Sequence, residues 1–296
     1  MKIGIIGLGR MGLGFAYRLH KEGFAIQGYD PSPEAQQHAR KEKIVIAPTM
    51  NALVQECSVI FLLVPAGLID QIIAAILAHV QKNSIIIDAG NSKYTDSQQR
   101  AALLAHHTIH FIDCGTSGGV HGKEAGYCLM IGGDKKIYDQ LVPAFTALAE
   151  KNGCAYVGPS GAGHFVKTVH NGIEYGLLQA YGEGFHLLRE GPFKDIDLAQ
   201  ISDLWNHGAV IRSWILELAH TVLEKDQKMT EICGALSENG TGQWTVDTAH
   251  EYKIPVPVIE KSVEVRAWSR KTGGNYATKL IALLRNAFGG HTFVKK

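Results

Sequence analysis

The chain lacks any long apolar run. Its longest lies near Val59–Val64 and stops at Pro65, far short of the ~18 residues that a bilayer-spanning helix needs. The apolar start from Met1 to Leu8 is cut by Arg10, too early for the apolar centre of a secretion signal. Cysteine is scarce: five residues, Cys57, Cys114, Cys128, Cys154 and Cys233, with no C-x-x-C pair. An odd number without that spacing argues against a disulfide scaffold or a zinc ribbon and fits the reducing cytoplasm. Charge of one sign is missing too. The 29 Lys and Arg against 28 Asp and Glu leave a net charge of +1, which gives no general pull toward nucleic acid or an anionic membrane. Internal repeats and low-complexity tracts are absent as well. A soluble cytoplasmic protein is the expectation.

What is present is a large supply of core. Hydrophobic residues make up 46% of the 296 and charged ones 19%, which excludes global disorder. At roughly 150 residues per domain the length predicts about two domains. The first half alternates. Apolar, β-branched runs occur at Lys2–Ile6, Ala25–Tyr29, Ile44–Ile46, Val59–Val64, Ser84–Asp88 and His110–Cys114. Helical periods lie between several of them, at Arg10–Lys21, Leu68–Val80 and Thr95–His106. Continuous apolar strands alternating with helices predict a parallel sheet covered on both faces, the doubly wound α/β arrangement. After Tyr156-Val157 the strand signals stop, and the cluster Gly158-Pro-Ser-Gly-Ala-Gly163 reads as a boundary. A long helix is predicted from there to Glu190, with Gly191-Pro192 as its stop, and further helices within 197–225, 244–252, 256–271 and 276–287. The expected architecture is a Rossmann-type dinucleotide-binding domain over 1–158 and an all-α domain with a C-terminal tail over 159–296.

The segment Gly7-Leu8-Gly9-Arg10-Met11-Gly12 is a G-x-G-x-x-G motif. It follows an apolar strand and opens an amphipathic helix, and Asp30 ends the next strand at close to the usual ~20-residue spacing. The glycines allow a tight turn and close approach to a pyrophosphate, whose charge meets the helix N-terminus. A carboxylate at Asp30 would accept hydrogen bonds from both ribose hydroxyls of NAD and repel the 2′-phosphate of NADP. Pro31-Ser32-Pro33-Glu34 offers no Arg for that phosphate. The expectation is NAD in preference to NADP. The plainer role for Asp30 is a turn residue ahead of a helix starting near Pro33.

On the long helix, Lys167, His170, Asn171, Glu174 and Tyr175 fall at i, i+3, i+4, i+7 and i+8. At 100° per residue they share one face, at the spacing normally used for an apolar stripe. The other face carries Phe165, Val166, Val169 and Ile173 and reads as the core side. The bland alternative for the stripe is a solvated face with a Lys–Glu pair. Beside a dinucleotide fingerprint, a base, an acid and an imidazole in one row suggest acid–base chemistry.

With these motifs the chain resembles the decarboxylating 6-phosphogluconate dehydrogenases, in their short form. The likeness runs through Asp88-Ala-Gly-Asn91-Ser92, Asp113-Cys-Gly-Thr-Ser117-Gly118-Gly119, Lys167-Thr-Val-His170-Asn171-Gly-Ile-Glu174-Tyr175 and the tail Arg285-Asn-Ala-Phe-Gly-Gly-His291. The resemblance implies oxidative decarboxylation of 6-phosphogluconate to ribulose 5-phosphate with no metal. Lys167 would be the general base, which requires a neutral amine, and Glu174 the acid that protonates C1. Asn91, Ser117, Gly118, Gly119, His170 and Asn171 would hold the sugar and carboxylate. Tyr175, Thr241, Arg266 and Arg285 would face the phosphate, with His291 from the tail. Cofactor contacts would fall on Gly7, Leu8, Gly9, Arg10, Met11, Gly12, Asp30, Val64 and Asn91. The family's Arg285 and His291 equivalents reach in from a neighbouring subunit, which implies a homodimer or homotetramer with a shared active site. Two positions depart from the family. Asn239 stands where long-form members have a Lys, and Lys93 follows Asn-Ser where a Glu or similar residue is usual. Two other functions stay open: a non-decarboxylating β-hydroxyacid dehydrogenase and a catalytically silent NAD-binding protein.

Overall fold

The computed structural model describes residues 1–238 and 240–295. The chain divides into two compact units, Met1–Lys167 and Thr168–Lys296. In the first, strands and helices alternate: β1 (Lys2–Ile6), α1 (Arg10–Lys21), β2 (Ala25–Tyr29), α2 (Pro33–Lys41), β3 (Val45–Ile46), α3 (Met50–Glu56), β4 (Val59–Leu62), α4 (Ile69–Ile76), β5 (Ile85–Asp88), α5 (Tyr94–Ala105), β6 (His110–Ser117), α6 (Gly122–Ala125), β7 (Tyr127–Gly133), α7 (Lys135–Leu148) and β8 (Ala149–Gly158). The long α8 (Ala162–Glu190) leads into the second unit, which holds α9 (Leu198–Asn206), α10 (Trp214–Lys225), α11 (Thr241–Glu251), α12 (Pro257–Thr272) and α13 (Tyr276–Gly289).

The eight strands form one sheet in the order β3-β2-β1-β4-β5-β6-β7-β8. The chain winds outward from β1 through β2 to β3, then returns to place β4 on the other side of β1. That reversal opens a crevice at the carboxyl ends of β1 and β4, where open α/β sheets take their ligands. Two apolar clusters cover the sheet. One gathers Ile3, Ile5, Phe15, Phe61, Ile87, Leu141 and Phe145, and the other Ile6, Leu53, Ile60, Leu62, Ile73, Ile86 and Leu104. Alternate residues of β4 serve opposite clusters, which is why that strand is apolar at every position, and in β1 Ile3 and Ile5 serve one cluster and Ile6 the other.

The doubly wound α/β unit and the helical unit match the fold expected from the sequence. Two details differ. β7 runs antiparallel to β6, where the alternation suggested only parallel strands. The helical stretch 197–225 is two helices, α9 and α10, because Gly208 takes a positive φ of 91° between them. The first compact unit itself runs on to Lys167, into the start of α8. The start of α8 belongs to the sheet, since the Asp113 carboxylate accepts from the backbone N–H groups of Gly161 at 2.7 Å and His164 at 2.9 Å. In the second unit α8, α9, α10 and α13 enclose a core of Leu178, Phe185, Leu198, Leu216, Leu223 and Leu280. Among the described residues no helix is long and apolar enough to cross a membrane.

Candidate active site

In the first unit the β1–α1 turn is shaped for a ligand that approaches the backbone closely. Gly7 has φ 94°, in the left-handed region that favours glycine, and a Cβ there would lie 2.5 Å from the Leu63 carbonyl oxygen. A Cβ at Gly12 would collide with the Gly7 carbonyl, so α1 can start this close to β1 only with glycine. Above Gly9, by contrast, there is open space for 4 Å. Gly9 is also the N-cap of α1 and makes no side-chain cap, which leaves the helix N-terminus to draw an anion. A tight turn, an open Gly9 and an uncapped helix fit a pyrophosphate.

Asp30 ends β2 beside this turn. Its Oδ2 accepts from the Leu8 N–H at 2.7 Å and its Oδ1 from the Ser32 N–H at 2.8 Å. The carboxylate therefore belongs to its own turn and to the glycine loop at once, while the N-cap of α2 is Ser32. Each oxygen retains a second lone pair for a ligand hydroxyl. Val64 follows β4 across the crevice. Gly90, next to Asn91, packs against it, since a Cβ at Gly90 would sit 3.0 Å from the Val64 carbonyl oxygen. Gly7–Gly12, Asp30, Val64 and Asn91 thus gather at the carboxyl ends of β1, β2, β4 and β5. Arg10 and Asn91 are exposed there, and Met11 is half-buried.

Lys167 is placed by β6. Asp113 caps α8 and fixes its register, and one turn later the Lys167 Cβ would be 2.6 Å from a Cβ at Gly115. The next turn of backbone beyond Gly115 is Ser117-Gly118-Gly119, whose glycines take φ values of 120° and 52°. Lys167 and the Ser117-Gly118-Gly119 turn are therefore neighbours at one strand end. His164 shares this frame, with its Nδ1 2.7 Å from Ser97 Oγ.

The polar stripe of α8 is the buried side of the helix. Lys167, Asn171 and Tyr175 are 8%, 7% and 4% exposed, whereas Ile173 and Leu177 are 53% and 44% exposed. This overturns the expectation that Phe165, Val166, Val169 and Ile173 form the core side. Phe165 is exposed and the two valines are only half-buried. His170 and Glu174 are half-buried within the stripe, and His170 Nδ1 lies 3.2 Å from Asn171 Oδ1. Burying such a row costs free energy, which packing alone gives no reason to spend.

In the second unit Tyr175, Arg266, Arg285 and Glu174 form one electrostatic cluster. The Arg266 Cζ stands 3.2 Å from the centre of the Tyr175 ring. Arg266 Nη1 and Nη2 and the Tyr175 hydroxyl are buried and have no hydrogen-bond partner among the described residues. Burial lowers the Arg266 pKa to about 10 despite the favourable fields of Tyr175, Glu174 and Glu238, so it remains a cation at neutral pH. Arg285 is buried as well, its pKa lowered for the same reason, and its Nη1 donates to Ser237 Oγ at 3.3 Å. α11 lies against this cluster through Gly242, where a Cβ would collide with the Tyr175 ring. Its neighbour Thr241 begins that helix. Within this chain Arg285 lies in the field of Tyr175 and Glu174. The tail bearing His291 folds back on the same unit, with the Cys233 N–H donating to the Val294 carbonyl at 2.9 Å. Asn239 lies outside the described residues.

One group escaped the sequence reading. Arg100 joins buried Asp88 and Ser92 and exposed Asp70 in one hydrogen-bond network under the Asn91 loop. The signal was available: Arg100 falls with Ser97 and Leu104 on the buried face of α5, a cation on a core stripe. Among the described residues no group of three or more His, Cys, Asp or Glu could hold a metal ion.

The family model for the NAD binding domain of 6-phosphogluconate dehydrogenase matches residues 2–158, and the one for that enzyme's C-terminal domain matches 163–279. The NAD(+)-dependent, decarboxylating 6-phosphogluconate dehydrogenase of Haloferax volcanii is 39% identical over 302 residues, covering 100% of this chain and 99% of its own. The NADP(+)-dependent, decarboxylating enzyme of Bacillus subtilis is 35% identical, covering 90% of this chain and 60% of its own. Among solved structures, the 6-phosphogluconate dehydrogenase of Plasmodium falciparum, described in apo form and in complexes with NADP+ and 6-phosphogluconate, superimposes with a TM-score of 0.82. It is 30% identical, over 92% of this chain and 62% of that one.

Proposed function

Because the chain belongs to the 6-phosphogluconate dehydrogenase family, we propose that it converts 6-phospho-D-gluconate to D-ribulose 5-phosphate and carbon dioxide with NAD as hydride acceptor. The observation that carries this reading is the inverted α8, which hides Lys167, Asn171 and Tyr175 and exposes Ile173 and Leu177. A nicotinamide dinucleotide held by the Gly7–Gly12 turn and Asp30 would supply the two-electron acceptor for the hydride leaving C3. Lys167 takes the proton of the 3-hydroxyl as that carbon is oxidised. The ketone then draws the electron pair released when the C1–C2 bond breaks and carbon dioxide leaves, and the protonated Lys167 steadies charge on the ketone oxygen. Glu174, two helical turns or about 10 Å along the axis, returns a proton to the carbon that lost carbon dioxide, C2 of the substrate and C1 of ribulose 5-phosphate. Asn91, Ser117, Gly118, Gly119, His170 and Asn171 hold the sugar hydroxyls and carboxylate. Thr241, Tyr175, Arg266 and Arg285 hold the phosphate, with His291 nearby in the tail.

The test is initial rates with 6-phosphogluconate and with NAD or NADP in parallel, following reduced cofactor and carbon dioxide. Equal yields of both products support the reading. Reduced cofactor without carbon dioxide would make the enzyme a non-decarboxylating β-hydroxyacid dehydrogenase, and no turnover with either cofactor would withdraw the phosphate roles.

NAD preference rests on Asp30, which the Leu8 and Ser32 amides hold at the mouth of the cofactor turn. Asp30→Ala should raise KM for NAD and narrow the preference over NADP. The assay is kcat/KM with each cofactor, and an unmoved ratio would reduce Asp30 to a turn residue.

We propose a homodimer or homotetramer with a shared active site, in which one face of α8 lines the site and the other meets a second copy. Ile173 and Leu177 are exposed on that outer face, and Val258, 3.4 Å from a Cβ at Gly176, extends the apolar patch. Exposed apolar surface of this kind marks association sites. Ile173→Glu should shift the sedimenting species toward monomer, and an unchanged sedimentation coefficient would move the interface elsewhere.

A further inference from the structure

Arg100 projects from the buried face of α5, and its guanidinium reaches Asp70 in the first turn of α4, Asp88 at the end of β5, Ser92 in the loop that follows, and Asp96 one turn back on α5, whose Oδ2 lies 3.9 Å from Nη2. Nε and Nη2 donate to the two oxygens of Asp70 at 2.6 and 3.1 Å, a bidentate fork. Nη1 donates to Asp88 Oδ2 at 3.1 Å and to Ser92 Oγ at 2.9 Å. Asp88, the last residue of β5 and fully buried, also accepts from the Ser92 hydroxyl at 2.6 Å and from the Gly90 N–H at 3.1 Å. Gly90-Asn91-Ser92 is thereby closed on Asp88. Asp70 stands at the start of α4, just beyond the loop that leaves Val64, and Gly90 abuts Val64 itself.

This arrangement is poorly explained by stability. A buried ion pair is often no better than an apolar replacement of equal volume, and α5 already packs through Leu104. What the fork adds is geometry: a planar group with fixed donor directions sets the spacing between two loops. We propose that Arg100 is a positioning residue, bracing the Asn91 loop against the Val64–Asp70 segment so that Asn91 meets cofactor and substrate in one orientation. The proposal rests on the reading that Asn91 belongs to the active site.

A kinetic double-mutant cycle tests it, with Asn91→Ala, Arg100→Lys and the pair. Lys keeps the charge but loses the fork. Arg100→Lys alone should lower kcat/KM for 6-phosphogluconate about 10- to 100-fold, the scale of a small misplacement of a reacting group. In the Asn91→Ala background the same change should cost almost nothing, because the group it positions is gone. Losses that multiply would overturn the positioning role and leave the site reading intact. Asn91→Ala with normal kcat/KM would overturn both. Should Arg100→Lys fail to fold, Asp70→Asn carries the same cycle, since the Asp70 side chain is 74% exposed and its change leaves Asp88 paired. It should cost about tenfold alone, the scale of one charge-assisted hydrogen bond, and almost nothing beside Asn91→Ala. Independent losses would again overturn the proposal.

Discussion

Replacing Lys167 by Met should lower kcat for 6-phosphogluconate oxidation by about 10²- to 10⁴-fold, the usual worth of a general base, while NAD binds nearly as before. Met fills most of the volume of the lysine stem without offering a proton acceptor. The cofactor groups lie on other elements, the β1–α1 turn and Asp30, and the register of α8 against β6 is held by backbone bonds to Asp113 that the substitution does not touch. Binding and chemistry should therefore separate. Calorimetric titration with NAD reads the first and initial rates read the second. A buried lysine side chain that serves only packing would give the opposite result, normal turnover in an enzyme slightly altered in stability.

The elements around Lys167 show what a sequence can and cannot announce. The G-x-G-x-x-G turn is legible because glycine is nearly obligatory where a Cβ would meet backbone, as at Gly7 and Gly12. The strands are legible because a sheet covered twice needs apolar side chains on both faces, as in β1 and β4. Antiparallel β7 was not, since Tyr127–Gly133 has the composition of any buried strand and direction is set by the short connection through α6. The five polar positions of α8 were legible as one face. Which face is buried was not, because periodicity gives an angle around the helix and says nothing of what stands opposite. The usual assumption that the apolar side faces inward gave the wrong side for Ile173. Arg100 was hidden for a related reason. Its partners Asp70 and Asp88 lie 30 and 12 residues away, and only the return of β5 beside β4 brings them within reach.

Arg266→Met should move stability and activity in opposite directions. The free protein buries this guanidinium with neither terminal nitrogen hydrogen-bonded among the described residues, and its compensation is the Tyr175 ring together with the fields of Glu174 and Glu238. A desolvated cation–π contact returns about 2 kcal/mol, less than the several kcal/mol that desolvating an ion costs, and the nearby Arg285 adds like-charge repulsion. Removing the cation should leave Tm unchanged or higher. The same unspent donors are suited to a phosphate dianion, which accepts the planar fork bidentately. Loss of a buried charged partner costs about 2–5 kcal/mol, so kcat/KM for 6-phosphogluconate should fall roughly 30- to 4,000-fold at 1.4 kcal/mol per decade. Unphosphorylated gluconate, turned over slowly by both enzymes, should show little change. Thermal melts and the two-substrate comparison together decide the point. A lower Tm with equal losses on both substrates would make Arg266 a structural cation, and the phosphate would then have to be held by Arg285 and the N-terminal turn of α11.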